Sequence, residues 1–250
     1  MAQPTRYLFW PLFFACQLLA LSLLSWHALA QIDFAYPIGY QWLRLDETIA
    51  TYAPQNIYRK DFATTTTAQH WHFFAQIVDA VQSGGQGLPN IHYADRTGKA
   101  TALLTDAEIT HLQDVAHLID HFYAAGLTAW VLWIGLALLA RRQQWPLPPG
   151  WKVLAGFAGS LVLAGLVVLG IGAQKVFYWL HTVVFPAEHQ WFFYYYESLM
   201  TTLMRAPDIF AFIAVLLVAG VALLWCLSLY LLQKWLPRAA PAPLRRCARP

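Results

Sequence analysis

Four apolar runs constrain this chain more than any other feature. Residues 7–30, 122–140, 153–173 and 209–232 contain no Asp, Glu, Lys or Arg. About 20 such residues in a row suffice for a helix to cross the hydrocarbon of a bilayer. A mean hydropathy of +0.43 with 12% charged residues lies well outside the balance of a soluble domain. The sequence predicts an α-helical integral membrane protein with four transmembrane helices and a small extracytoplasmic α+β cap.

The charges set the expected orientation. All 13 acids fall in 33–120 or 188–208. The N-terminal tail, the linker 141–152 and the tail 233–250 hold only basic residues: Arg6; Arg141, Arg142 and Lys152; Lys234, Arg238, Arg245, Arg246 and Arg249. Lys and Arg in short loops mark the cytoplasmic side. Both termini are therefore expected on the cytoplasmic side, with 31–121 and 174–208 outside. The basic residues are scattered and point to anionic lipid at the inner leaflet, not to nucleic acid. Cys16 and Cys226 lie in apolar runs and Cys247 in the inner tail, so no disulfide or cysteine metal cluster is expected outside.

Along the chain, 7–30 is read as the first span. Ala28-Leu29-Ala30 has the form of a signal cleavage site, but the apolar run exceeds the ~7–15 residues of a signal core, which favours an uncleaved anchor. Residues 31–103 form the cap. There, Phe34, Tyr36, Ile38, Tyr40 and Trp42 alternate as in a strand, interrupted by Pro37 and Gly39. His70–Gln82 reads as a helix ended by Ser83-Gly84-Gly85, residues 88–93 as a short strand and 95–98 as a turn. His70 and His72, two apart, are expected at the surface or in a cap. Thr105-Asp106-Ala107-Glu108 matches a capping box and opens a helix over 104–140 that continues unbroken into the second span. The glycine-rich third span, 153–173, is expected at the centre of the bundle, since small residues permit close approach in lipid. The aromatic segment 174–208 carries His181 and ends in an interfacial amphipathic helix near 197–205. The fourth span is 209–232.

Two places carry chemistry. His111 and Asp114 stand three apart on the 104–140 helix, where a carboxylate can hold one ring nitrogen and fix the tautomer a general base needs. The plain alternative is a solvated polar pair. His181 is ionisable near membrane depth, where function is the default reading. Around it Phe177, Trp179, Phe185 and Trp191 read plainly as an aromatic belt at headgroup level, which leaves a histidine among them unexplained.

These residues resemble a known family. Glu108-Ile109-Thr110-His111-Leu112-Gln113-Asp114-Val115 is similar to the Glu-x-x-His-(Met/Leu)-x-Asp-Val motif of the lipoprotein intramolecular transacylases. Phe177-x-x-x-His181-x-x-x-Phe185, followed by Trp191, resembles their second histidine motif. The resemblance implies that the sn-2 acyl chain of a lipoprotein's diacylglyceryl-Cys moves to the α-amine of the same residue, without cofactor or metal. It implies His111, His181 and Asp114 as catalytic residues, with Phe177, Trp179, Phe185 and Trp191 holding the acyl chain and glyceryl group. The first assignment makes His111, oriented by Asp114, the base and His181 the acid, although the roles could be exchanged. The expected partners are the lipoprotein or lipid substrate and the membrane; protein partners are not specified.

Two rival readings use the same residues. His111, Asp114, His117 and His121 have the i,i+3 and i,i+4 spacing of helical metal or haem sites. The aromatic outer face would also suit a non-enzymatic membrane partner. No G-x-S-x-G occurs, which disfavours a serine hydrolase.

Overall fold

The computed structural model describes residues 4–237, so most of the tail 233–250, with Arg238, Arg245, Arg246, Cys247 and Arg249, lies outside the described residues. Helix, short 3₁₀ turns included, makes up 75% of the described residues. The helices are α1 (Pro4–Ala30), α2 (Tyr36–Trp42), α3 (Leu45–Tyr52), α4 (Thr67–Gln82), α5 (Asp106–Arg142), α6 (Gly150–Ile171), α7 (Ala173–Val184), α8 (Leu199–Met204) and α9 (Asp208–Trp235). One antiparallel hairpin, β1 (His92–Ala94) and β2 (Ala100–Ala102), is paired His92 to Ala102. Four helices, α1, α5, α6 and α9, are long and apolar enough to cross a membrane. Their connections place 31–105 and 172–207 at the same end of the bundle.

The bundle is organised around α1, not around the glycine-rich helix. On α1, Phe13, Gln17 and Ala20 are fully buried. Gln17 Nε2 donates to Ser228 Oγ of α9 at 2.8 Å, and Trp130 Nε1 of α5 donates to the Ala20 carbonyl at 2.9 Å. Close approach is made by single glycines on the neighbours. A Cβ at Gly126 would lie 2.7 Å from Leu23, and one at Gly220 would collide with Ser25. By contrast, a Cβ at Gly156, Gly159, Gly165 or Gly170 of α6 would meet nothing within 4 Å. The expected central position of 153–173 is thus corrected. Apolar solvent removes the need to bury a flexible, small-residue helix, and α6 presents almost all of its surface outward.

The cap packs on the other ends of α1, α5 and α9, and its core is continuous with theirs. Residues 36–42 form a helix where a strand was expected. Pro37 sits in the first turn, where its missing N–H costs nothing. Tyr36, Gly39 and Tyr40 face inward at helical spacing, while Ile38 and Trp42 are exposed. Tyr36 stacks on Phe74 at 3.9 Å, and its hydroxyl donates to the Leu203 carbonyl at 2.6 Å. Thr66 and Gln69 close a capping box at the start of α4. Among the described residues the strand content is limited to this hairpin of two three-residue strands, so the cap is largely helical.

Two further expectations are corrected. All six residues of α8 are buried, so this helix is part of the cap core, not an interfacial amphipathic helix. His70 is buried, not at the surface. Thr65 Oγ1 donates to the Phe62 carbonyl at 2.6 Å, so it accepts from His70 Nε2–H at 2.8 Å, and Nδ1 accepts from Tyr40 O–H at 2.9 Å. This neutral tautomer is fully satisfied. Burial drives the His70 pKa down to about 4.

Candidate active site

α5 supplies one wall of the site. Thr105 Oγ1 accepts from Glu108 N–H at 3.3 Å, and the Glu108 carboxyl accepts from Thr105 N–H at 2.6 Å, so the expected capping box starts the helix. From there 37 residues run without a break, roughly 55 Å at 1.5 Å per residue. Glu108 is fully buried. Its other oxygen accepts from Ser198 Oγ at 2.5 Å and from Met200 N–H at 3.3 Å, at the start of α8. Ser198 also caps α8 through Thr201 N–H at 2.8 Å. One carboxyl group therefore joins two helix starts, and the aromatic segment before α8 is held against α5.

One turn further on, His111 is 8% exposed. Its ring centroid lies 6.0 Å from that of His181, 5.0 Å from Phe185 and 6.0 Å from Phe193. Its Nδ1 is buried without a hydrogen-bond partner. A buried polar atom without a partner is rare and calls for an explanation, such as a ligand to receive.

α7 supplies the other wall. His181 is half-buried between Phe177 at 4.0 Å, Trp191 at 5.0 Å and Phe185 at 5.2 Å. Its Nδ1 lies 2.7 Å from the Phe177 carbonyl oxygen. A carbonyl can only accept, so Nδ1 carries the proton and the neutral ring keeps its lone pair on Nε2. Burial lowers the His181 pKa, and the bond to Phe177 partly opposes that shift. Near neutral pH this imidazole is uncharged.

Asp114 is close to the pair but does not orient His111 through a hydrogen bond. Its Oδ2 is held by Nδ1 of His189 at 2.7 Å, which corrects the expected partner. The Asp114–His189 bond pins the 186–191 loop to α5 and thereby Trp191 over His181. A cavity of about 200 Å³ opens beside it, lined by Asp114, His117, Leu118, His121, Val184, Phe185 and Pro186. His121 Nδ1 is bound to the His117 carbonyl at 2.6 Å. Among the described residues no three His, Cys, Asp or Glu side chains are grouped to hold a metal ion.

The structure thus brings together His111, His181, Phe177, Phe185 and Trp191, with Asp114 at their edge. Trp179 stands apart. It is 61% exposed and, among the described residues, makes no ring contact. Three contributors escaped the sequence reading. His189 belongs to no motif and lies 75 positions from Asp114. Phe193 was one ring among many. Glu108 was legible as a cap, but its second bond, to Ser198, spans 90 positions.

A family model described as "Lipoprotein intramolecular transacylase Lit" matches residues 12–206. No curated protein and no solved structure matches the chain.

Proposed function

The chain belongs to the lipoprotein intramolecular transacylase family, and on that premise we propose that it moves an acyl chain within one lipid-anchored protein. The sn-2 acyl group of a diacylglyceryl-Cys passes to the α-amine of that cysteine, leaving a lyso, N-acylated lipoprotein. The reaction takes place at the outer face of a bacterial cytoplasmic membrane, with both termini inside. The basic residues confined to the N-terminal tail, the linker 141–152 and the C-terminal tail support that orientation.

The observation that carries this reading is the pair of imidazoles on α5 and α7, 6.0 Å apart inside an aromatic wall. The tautomer argument favours the exchanged roles. His181 is the base, because Phe177 holds the proton on Nδ1 and leaves the Nε2 lone pair free. That lone pair takes a proton from the α-amine as its nitrogen attacks the sn-2 carbonyl carbon. The carbonyl π pair moves onto oxygen. His111, with an unpartnered Nδ1, donates to that oxyanion. Collapse restores the carbonyl, breaks the ester bond and expels the glycerol oxygen. That oxygen receives the proton taken from the amine, directly from His181 or by way of His111. Each positioned acid or base is worth about 10²–10⁴-fold.

Amine and ester belong to one molecule, so folding the substrate back on itself supplies proximity. Phe177, Phe185 and Trp191 exclude water around the ester, and exposed Trp179 lies at the lipid side for the acyl chain. Asp114 acts through His189 to hold the Trp191 loop in place. The test is to express His111→Asn and His181→Asn separately and identify lipoprotein N-termini by mass spectrometry. Each is expected to lower lyso-form production by about 100-fold or more. Full production from either variant would overturn the assignment.

A further inference from the structure

The segment that closes the site continues past it. Residues 190–194 form neither helix nor strand, yet their side chains alternate with a strand period. The odd positions face inward: Trp191 onto His181, Phe193 onto His111, and Tyr195 onto Tyr52 at 4.6 Å with its hydroxyl on the Ala206 carbonyl. The even positions face outward. Phe192, Tyr194 and Tyr196 are 41%, 52% and 43% exposed. These rings touch in series, Trp191 to Phe192 at 6.1 Å, Phe192 to Tyr194 at 5.1 Å and Tyr194 to Tyr196 at 5.3 Å. The far end is fixed, because Ile57 N–H donates to the Tyr196 carbonyl at 2.9 Å.

The backbone of this segment keeps it out of hydrocarbon. Among the described residues, the N–H groups of Trp191, Phe192, Phe193 and Tyr194 donate no hydrogen bond to protein. Hydrocarbon cannot satisfy such donors. The Phe192 carbonyl is held by Gln190 and the Tyr194 carbonyl by Glu197 and Ser198, but among the described residues Trp191 and Phe193 keep both N–H and carbonyl unpaired, and this edge can take an added strand, with the outward rings gripping alternate side chains. The substrate supplies such a strand. Trp191 lies 5.0 Å from His181 and begins the ladder, so a polypeptide leaving the histidines on that side runs onto it.

We propose that Phe192, Tyr194 and Tyr196 form a track that binds the extended peptide following the lipidated cysteine. This rests on the transacylase reading. The two ring steps from Phe192 to Tyr196, 5.1 and 5.3 Å, accommodate about three residues at roughly 3.3 Å each.

The experiment uses the full-length protein in lipid nanodiscs and two synthetic diacylglyceryl-Cys substrates. One ends a single residue after the cysteine; the other extends well past the ladder. The parent protein is expected to favour the long substrate by about tenfold in kcat/KM, the scale of two or three ring contacts. Replacing both rings, Tyr194→Ala with Tyr196→Ala, brings that ratio toward one, whereas Tyr194→Phe with Tyr196→Phe preserves it. A photo-reactive phenylalanine at position 194 cross-links to peptide residues of the long substrate. An unchanged ratio in the alanine variant, or cross-links confined to acyl chains and phospholipid, overturns the track while leaving the transacylase reading intact. Absence of N-acylated product from the parent with both substrates overturns that reading and the track with it.

Discussion

Replacing Glu108 by Gln tests whether the helix-joining carboxyl group holds the site together. The carboxyl accepts four hydrogen bonds, from Thr105 N–H, Thr105 Oγ1, Ser198 Oγ and Met200 N–H. An amide keeps one oxygen and turns two donors toward the other pair. The hydroxyls can rotate to accept. A backbone N–H cannot, so either Thr105 or Met200 is orphaned whichever way the amide is turned. Losing one buried bond and leaving its donor unsatisfied costs about 2–3 kcal/mol. For a chain of this size that lowers Tm by roughly 4–12 °C. The assay is thermal inactivation of detergent-solubilised protein, read by lyso-form production. Ser198→Ala should cost less and combine non-additively with Glu108→Gln, since both remove the same bond. Because His111 lies one turn beyond Glu108 and Phe193 five residues before Ser198, residual activity should fall further than stability alone explains; displacement by about 1 Å can cost about 100-fold. A Tm within a degree or two of the parent, with normal turnover, would refute the reasoning.

Three other outcomes are expected. With the His181 pKa lowered by burial, the proposed base is already neutral at pH 7, so kcat/KM should be flat through neutrality and fall only in acid, below the ordinary histidine range; a fall beginning above pH 7 would contradict this. His70 has a folded-state pKa of about 4 against about 6.5 unfolded, so the unfolded chain binds more protons between those values and stability should drop as pH falls through that window, by up to about 3 kcal/mol; His70→Gln should flatten the dependence in denaturation curves recorded across it. Gly126→Val should destabilise by about 1–3 kcal/mol through the clash with Leu23, whereas Gly159→Val, facing open space, should leave Tm nearly unchanged.

The helix carrying His111 was legible because three local signals agreed: a capping box, a helical face and an apolar continuation with no breaker. His181 was legible because a histidine among headgroup-level aromatics has no structural duty to explain it. The errors came where local pattern is ambiguous. Positions 36 and 40 satisfy both a two-residue and a four-residue repeat, and Pro37 decided for helix by occupying its first turn. Glycine content misplaced α6, since contact is decided by what lies opposite each glycine. The Asp114–His189 and Glu108–Ser198 bonds span 75 and 90 positions and have no local signature.

The unbroken α5 has one last consequence. It is a rigid strut, and His111 stands eleven residues, roughly 16 Å, from the point where its apolar stem begins. The His111 imidazole therefore rides at a height dictated by how deeply that stem is seated. Reconstitution into thinner or thicker lipid should raise or sink the imidazole relative to the ester on which it is proposed to act. Turnover would then pass through an optimum as the surrounding acyl chains are lengthened, making bilayer thickness itself a control on the reaction.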